Sequence, residues 1–350
     1  MKTHFQILIV GGGNAGISVA AKLLLKRASL EIAIIEPADT HYYQPAWTLV
    51  GGGVYDIRKT VRPEASVMPR GVTWIQDRVI AFDPTAHAVR TASSQAYTYD
   101  YLVVAPGIQL DWDLIAGLKQ TLGKHGVCSN YAYEYAPYTY ACIQQIRKGQ
   151  TAIFTSPSTP VKCGGAPQKI MYLAADYFRK EKILDQVEID FMSGGTKIFG
   201  VPKYAAALEK LVDRYHIHLY FHHDLISIDG PNHLATFREH VPNQEPRDFQ
   251  KHFDMIHVVP PQSAPDFIKK SPLADSQGWV DVDPYTLQHV RYPEIFGIGD
   301  ATNTPNAKTG AAVRKQAPVL VDNLLAQIDN RPLPARYHGY SSCPIVAGYC

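Results

Sequence analysis

A glycine-rich loop between an apolar strand and a helix with an apolar face opens the chain. Residues 6–10, Gln-Ile-Leu-Ile-Val, predict a short buried strand that ends at the loop. The loop carries three glycines in G-x-G-x-x-G spacing, Gly11, Gly13 and Gly16. Apolar residues then recur at helical spacing over 17–25, and a second apolar strand at 32–35 leads to Glu36, twenty residues beyond Gly16. Strand, loop, helix and trailing acid together form the fingerprint of a dinucleotide-binding βαβ unit.

The residues of this unit each suit contact with a dinucleotide. Gly11 permits the tight turn, Gly13 lets a pyrophosphate approach the backbone, and Gly16 allows close packing of helix on strand. The first helical residues, Asn14 and Ala15, offer free N–H groups to the phosphates. The acid that ends the second strand is placed to accept hydrogen bonds from the adenosine ribose hydroxyls. A glycine turn that holds no ligand is the alternative interpretation.

Two later motifs separate FAD from NAD, which the loop alone does not. The segment Gly297-Ile298-Gly299-Asp300 resembles the G-D motif of flavoproteins with two dinucleotide domains, in which the aspartate binds the ribityl chain of FAD. Ala105-Pro106-Gly107 resembles their short A/T-x-G motif, which also lies near FAD. These resemblances favour FAD as the cofactor. The alternative for Asp300 is that it caps the following helix.

A second α/β pattern begins near residue 150 and lacks a glycine fingerprint. The strand predicted at 152–155 runs into Ser156-Pro157-Ser158-Thr159-Pro160, whose prolines prevent a direct turn into a helix. A helix is predicted over 167–180. Lys162-Cys163-Gly164-Gly165 stands between them, so a cysteine occupies the region where a nicotinamide cofactor would otherwise bind. We therefore expect no nicotinamide site.

Two cysteines have surroundings that favour reactivity. A helix N-terminus and the neighbouring Lys162 would both stabilise a thiolate at Cys163. Cys343, in Tyr340-Ser341-Ser342-Cys343-Pro344, is the best candidate for a second thiol, because turn residues flank it. An inert thiol, buried or at the surface, is the alternative for each.

Length and composition limit the classes of protein to consider. At 350 residues the chain suffices for about two domains, and a net charge of +2 lacks the basic footprint of a nucleic-acid-binding protein. Five cysteines without a C-x-x-C pair give no zinc or thioredoxin motif, and we expect no metal. No apolar run approaches the ~18 residues of a membrane span. No signal peptide precedes the first strand, which favours a cytoplasmic location.

The predicted fold class is α/β, with two Rossmann-like three-layer domains of the FAD/NAD(P)-binding type, the second inserted in the first. We assign 1–112 and 288–350 to a discontinuous FAD-binding domain, and 113–287 to the inserted domain with its cysteine. Residues 231–253 predict a hairpin with a loop. A helix is expected over about 309–328, with a kink or a break at Pro318.

Several stretches are similar to the sulfide:quinone oxidoreductases, specifically to the subgroup that includes the mitochondrial enzymes. The most specific are Tyr42–Pro45, Pro160–Leu173, Gly278–Asp283, Phe296–Asp300 and Tyr340–Gly348. The resemblance implies that hydrogen sulfide reacts with a cysteine disulfide or trisulfide beside the flavin. It further implies that the sulfur is kept as a persulfide for a small-molecule acceptor, while two electrons pass through FAD to a membrane quinone.

The same resemblance assigns roles to individual residues. Cys163 and Cys343 would be the redox pair, with Cys163 against the flavin and able to form a transient thiol–flavin adduct, and Cys343 holding the persulfide. Lys308 matches a family lysine near the flavin ring, where a cation would stabilise the reduced, anionic flavin. Its alternative is a solvated lysine at the start of a helix. Gln44 and Pro45 are expected among the cofactor-binding residues.

Two further cysteines are assigned different roles. Cys128 lies where some bacterial relatives have a third active-site cysteine, so it is an additional candidate. Cys142 falls in a helical pattern and is expected in the core.

The end of the chain departs from the family pattern. Members of the family continue beyond the second cysteine with amphipathic helices that dock on the membrane, whereas this chain stops seven residues after Cys343. We expect a protein peripheral to the inner membrane if such a tail is present, and otherwise a soluble one. A sulfide dehydrogenase with a cytochrome acceptor and a sulfide or persulfide sensor without a quinone site are the alternatives. A type II NADH dehydrogenase is disfavoured by the missing second glycine fingerprint.

Overall fold

The computed structural model describes residues 2–349. Its strands are β1 His4–Val10, β2 Ile32–Ile35, β3 Thr40–Tyr42, β4 Val61–Pro63, β5 Val72–Ile75, β6 Val79–Asp83, β7 Ala88–Thr91, β8 Ala96–Val104, β9 Gln109–Leu110, β10 Val127–Cys128, β11 Thr151–Ser156, β12 Glu188–Ser193, β13 Ile217–Phe221, β14 His223–Asp229, β15 Leu234–Glu239, β16 Arg247–His252, β17 Met255–His257, β18 Gln262–Ser263 and β19 Ile295–Gly297. Its helices are α1 Asn14–Lys26, α2 Trp47–Gly51, α3 Leu118–Thr121, α4 Ala136–Gln145, α5 Ala166–Lys180, α6 Pro202–Arg214, α7 Asp266–Lys269 and α8 Gly310–Ile328.

The first compact unit comprises Met1–His41, Arg62–Gln109 and Ser263–Cys343. Its main sheet has the order β5-β2-β1-β8-β7-β6, and β19 pairs with β8 beside Leu102–Val104. The strands β5, β2, β1, β8 and β19 run parallel and are rich in buried aliphatic residues, as strands covered on both faces are. Helices α1 and α8 pack against one face of this sheet. The glycine loop leaves β1 at the carboxyl edge, where open α/β sheets bind their ligands.

The second compact unit comprises Tyr42–Val61, Leu110–Gln262 and Pro344–Cys350. Its parallel sheet has the order β10-β17-β11-β12-β13, and a separate antiparallel sheet has the order β14-β15-β16. Apolar residues of α5 are fully buried against the parallel sheet, because they recur on one face of the helix. This helix begins three residues after Cys163, so its packing fixes the backbone at the cysteine.

The division of contacts differs from the predicted domain boundaries. Residues 42–61 group with the second unit, because Trp47 and Val50 pack on Ala136 of α4. Residues 263–287 group with the first unit, because Ile268 and Val280 belong to the core that surrounds β1 and β8. The segment after Cys343 joins the second unit.

Two local predictions had different outcomes. The hairpin expected within 231–253 is confirmed by the antiparallel pairing of β15 with β16. A kink or a break was expected at Pro318: the break is wrong, since α8 continues through this residue to Ile328, and the kink stays a prediction. Burial of Ala317, Leu320 and Val321 holds the helix together there. Within the described residues, no helix combines the length and the apolar character needed to cross a membrane.

Candidate functional site

The glycine loop is built by close approaches that only glycine tolerates. Gly11 has φ +105°, and a Cβ on it would lie 2.4 Å from the carbonyl oxygen of Ala105. A Cβ on Gly16 would lie 2.0 Å from the carbonyl oxygen of Gly11. The loop therefore packs against the Ala105-Pro106-Gly107 segment at the edge of the sheet. These contacts bring together two of the motifs that the sequence predicts for the cofactor.

The carboxylate of Glu36 is held beside this loop. Glu36 Oε2 accepts a hydrogen bond from the Gly12 N–H at 2.8 Å, and Oε1 accepts one from the Ala38 N–H at 2.8 Å. Both oxygens keep further lone pairs for ribose hydroxyls. A Cβ on Gly13 would meet nothing within 4 Å, so the loop leaves open space in front of the first helical N–H groups of α1, at Asn14 and Ala15. The arrangement fits a dinucleotide with its pyrophosphate at the start of α1.

Lys308 fixes the turn that carries Asp300. Its Nζ donates to the carbonyl oxygens of Asp300 at 2.8 Å and Thr302 at 2.9 Å, and lies 3.8 Å from the ring centroid of Trp279. Gly299, with φ +77°, provides the tight backbone just before Asp300. Burial lowers the pKa of Lys308 to about 8, although the charges of nearby aspartates oppose that shift. The side chain is thus anchored within the first unit at the predicted cofactor-binding turn.

Gln44 and Pro45 lie in the second unit, in a single 3₁₀ turn at residues 44–46. The Lys162 ammonium donates to Oε1 of Gln44, and the Lys162 backbone N–H donates to Oε1 of Gln262 at 2.9 Å. The Nζ of Lys162 also lies 5.9 Å from the ring centroid of Trp47, within cation–π reach. Gln44 is therefore tied to the residue that precedes Cys163.

Cys163 occupies a strained turn immediately before α5. Its φ is +57°, and its carbonyl oxygen accepts a hydrogen bond from the N–H of Ala166 at 2.7 Å. The Nζ of Lys169 lies 3.6 Å from the Cys163 sulfur, within hydrogen-bond reach. Burial lowers the pKa of Lys169 from its usual range. A helix N-terminus and an amine at the sulfur both favour a thiolate.

Lys169 was missed by sequence reasoning, which named Lys162 as the cation beside Cys163. The signal in the sequence is a lysine at the end of the first turn of the helix that follows the cysteine. A side chain at that place can fold back toward the N-terminal turn, because helical side chains lean toward the helix N-terminus.

The remaining cysteines lie in different surroundings. Cys128, at the end of β10, is fully buried beside Cys142 of α4, and burial raises the pKa of its thiol. Interaction with the neighbouring Cys128 thiol lowers the pKa of Cys142. The expectation that Cys142 lies in the core is confirmed. Cys343 is the last residue of the first unit, and Cys350 lies outside the described residues.

A cluster of metal-type donors lies in the second unit. Donor atoms of Glu188, Asp190 and His218 all lie within 4.8 Å of one another. The Nζ of Lys251 is 2.7 Å from Asp190 and 3.1 Å from Glu188, so an ammonium group already balances the carboxylates. The cluster is an ion-pair network at the start of β12, and its contacts explain it without a metal.

These features define a class of protein. The fold and the glycine loop are those of the pyridine nucleotide-disulphide oxidoreductases, and the model of that family matches residues 5–134. The sulfide:quinone oxidoreductase structure from the hyperthermophilic bacterium Aquifex aeolicus has the same fold, with a TM-score of 0.77 at 20% identity over 95% of this chain and 78% of that chain.

Within this class the chain belongs to the sulfide:quinone oxidoreductase family. It is 45% identical over 351 residues to the mitochondrial sulfide:quinone oxidoreductase of Dictyostelium discoideum, covering 100% of this chain and 76% of the relative. Identity to the mitochondrial sulfide:quinone oxidoreductase of Mus musculus is 42% over 348 residues, covering 99% of this chain and 77% of the relative. The family and the fold class predicted from the sequence are confirmed.

The members of this family are FAD-dependent flavoproteins, which confirms the prediction of FAD as the cofactor. The residues of the first unit fit this group, because the glycine loop, the Glu36 carboxylate and the open space at Gly13 suit its adenosine and pyrophosphate. The assignment of individual side chains to FAD stays a prediction.

Proposed function

We propose that this protein oxidises hydrogen sulfide to protein-bound sulfane sulfur and passes the two electrons through FAD to a quinone. The observation that carries the proposal is the place of Cys163. It stands before α5, in the region where a nicotinamide fingerprint would be expected, and Lys169 contacts its sulfur at 3.6 Å. Membership of the sulfide:quinone oxidoreductase family supplies the substrate and the acceptor.

The proposed chemistry uses Cys163 and Cys343 as a disulfide. Hydrosulfide attacks the Cys343 sulfur, a bond forms between the two sulfurs, and Cys163 leaves as a thiolate. Cys343 then carries a persulfide, and a small nucleophilic acceptor removes the outer sulfur and leaves a second thiolate. The two thiolates now hold the electron pair from sulfide, and closing the disulfide again releases it. FAD, when bound, takes up such an electron pair and delivers it to quinone.

The surroundings of Cys163 support its role as the leaving group. Thiol–disulfide exchange is faster when the leaving sulfur is stable as a thiolate. The Lys169 ammonium and the N-terminus of α5 provide that stabilisation at Cys163. This assigns attack to the other sulfur, Cys343.

Lys308, Glu36 and Asp300 are proposed to serve the cofactor rather than the sulfur. Lys308 holds the turn of Asp300 and adds positive charge there, which favours a reduced, anionic flavin. Glu36 is proposed to bind the ribose hydroxyls, and Gln44 and Pro45 stay further predicted cofactor-binding residues.

Anaerobic reduction of the purified holoenzyme tests the proposal. Excess sulfide is expected to bleach the flavin absorbance, because a second sulfide can serve as the nucleophilic acceptor that removes the outer sulfur, and a short-chain quinone is expected to restore the absorbance. Cys163→Ser is expected to lose the bleaching by sulfide, because no thiolate can leave, while bleaching by dithionite persists. Failure of sulfide to bleach the wild-type flavin would refute the sulfide oxidation.

The electron acceptor is decided by the second half of the same experiment. Bleaching without reoxidation by quinone would favour a cytochrome acceptor or a sensor.

Because a quinone of the membrane must be reached, we propose that the protein works at a membrane surface. Co-sedimentation of the holoenzyme with quinone-containing vesicles tests this, and protein left wholly in the supernatant would contradict it.

A further inference from the structure

The segment directly after Cys343 is anchored within the second unit by specific contacts. The backbone N–H of Tyr349 donates to Oδ2 of Asp176 at 2.8 Å, and the Tyr349 hydroxyl donates to the carbonyl oxygen of Gly52. The ammonium of Lys180 lies 4.7 Å from the Tyr349 ring centroid. Six residues after Cys343, the chain is therefore bound to α5 and to the residue that follows α2.

A second tyrosine reinforces this anchor. The hydroxyl of Tyr215 lies 2.8 Å from the carbonyl oxygen of Ala347 and 3.3 Å from Oδ1 of Asp176, so it joins the segment to α5. A Cβ on Gly348 would lie 3.1 Å from both Asp176 and Tyr215, so a larger residue there would press on them. Ile345 packs on the hydrophobic core of the unit.

Asp176 is the centre of these contacts. Its side chain is buried, with 2% of the residue exposed. Arg179 donates to its Oδ1 at 2.8 Å. Burial alone would raise the pKa of Asp176, but the hydrogen bonds from Tyr349 and Arg179 outweigh burial and hold it below its usual range. The carboxylate is thus charged and able to make strong hydrogen bonds at neutral pH.

Chain length connects this anchor to the cysteines. Six residues span at most about 20 Å, so Cys343 stays within about that distance of the Asp176 contact. Asp176 lies ten residues into α5, about 15 Å along the helix from its start, and Cys163 lies three residues before that start. Fixing the end of a short tether raises the effective concentration of the group it carries near its partner.

We propose that Asp176 and Tyr215 are positioning residues for Cys343: they fix the segment 344–349 on α5 and so hold Cys343 within reach of Cys163. The proposal rests on the proposed function, in which these two cysteines form the working disulfide. In the proposed chemistry, neither Asp176 nor Tyr215 touches the reacting sulfurs. Both act through the backbone that follows Cys343.

The equilibrium between the Cys163–Cys343 disulfide and glutathione tests the proposal in the holoenzyme. The fraction of disulfide is measured by alkylation and mass spectrometry across a series of glutathione ratios. We expect Asp176→Ala and Tyr215→Phe each to lower the stability of the disulfide about tenfold, because the tether is loosened. Asp176→Glu keeps a carboxylate and is expected to restore most of the loss. FAD content, read from the absorbance spectrum, is expected to stay at the wild-type level.

Lys210→Gln, which removes an exposed charge from α6 in the same unit, is the control, and its disulfide is expected to be reduced at the same glutathione ratio as that of the wild type. If half of the disulfide is reduced at the wild-type glutathione ratio in both Asp176→Ala and Tyr215→Phe, the anchor proposal is overturned. The proposed function is not affected by that result. A wild-type protein that never forms the disulfide would instead overturn the cysteine pair of the proposed function.

Discussion

At the scale of single residues, Lys169 is expected to control the reactivity of Cys163. Its Nζ lies 3.6 Å from the sulfur, so replacing the amine by an apolar side chain of similar size removes a hydrogen bond to the thiolate. Lys169→Met is expected to slow the alkylation of the reduced Cys163 thiol at pH 7 about tenfold, because the thiolate loses a neighbouring cation. Alkylation rates across pH, followed on the Cys163 peptide of the reduced protein, measure this.

Two variants make that measurement specific. Lys169→Arg keeps a cation and is expected to recover much of the rate. Lys203→Met removes an exposed charge at the start of α6 in the same unit and is expected to change nothing. An unchanged pH profile for Lys169→Met would show that the amine does not stabilise this thiolate.

Lys308 leads to a prediction about pH. Burial lowers its pKa to about 8, so its positive charge is present below pH 8 and is lost above it. If Lys308 stabilises reduced flavin, Lys308→Met lowers the two-electron midpoint potential of the bound FAD by about 30 mV near pH 7, corresponding to about 1.4 kcal/mol. The difference from the wild type is expected to shrink as pH rises from 7 to 9.5, because the wild type then loses the same charge.

Spectroelectrochemical titration from pH 6.5 to 9.5 checks this prediction. Lys315→Met, which removes an exposed charge from α8 in the same unit, is the control and is expected to leave the potential unchanged. A difference between Lys308→Met and the wild type that stays constant over the whole range would contradict the assigned pKa.

At the scale of elements, local patterns predicted the strand–loop–helix–strand unit at the start of the chain. The strand β1, the glycine loop, α1 and β2 follow one another in sequence, and their periodicity and glycine spacing are short-range properties. The continuity of α8 was not predictable in this way. A proline inside a helix costs about 3 kcal/mol, and full burial of Leu320 and Val321 offsets it at about 1.5–3 kcal/mol each. That burial depends on the sheet of the first unit, which no window of the sequence around Pro318 contains.

The candidate site likewise contains residues that local sequence predicts and contacts that depend on the fold. The glycines, Glu36 and Cys163 were predicted as site residues because each stands in a recognisable local context. The contact between Asp176 and Tyr349 joins residues 173 positions apart, so no local pattern predicts it. Lys169 is intermediate between a residue that a local pattern predicts and a contact that only the fold reveals. It is close to Cys163 in the chain, but the direction of its side chain depends on where the helix begins.

At the scale of the whole molecule, the second unit draws on three separated stretches of chain, and this explains why the predicted boundaries differ. The sequence marks where a Rossmann-like pattern starts and stops, but 42–61 and 344–350 carry no such pattern. Described side chains of these stretches find partners in the folded second unit, such as Ala136 for Trp47 and Asp176 for Tyr349. Assignment of these stretches therefore depends on tertiary packing alone.

Removal of the cofactor gives a prediction for the molecule as a whole. FAD binds the folded protein through groups that the unfolded chain does not bring together, so apoprotein is expected to unfold at lower temperature than holoenzyme. At a free concentration of 100 times its Kd, FAD stabilises the folded protein by about 2.7 kcal/mol. For a unit of this size, that corresponds to a rise in Tm of roughly 5–10 °C. Differential scanning fluorimetry of apoprotein with added FAD measures the rise in Tm.

Gly16→Val is the control, because its side chain would collide with the carbonyl oxygen of Gly11, and FAD is expected to give it little or no stabilisation. A folded Gly16→Val protein stabilised as much as the wild type would show that FAD binds away from the glycine loop.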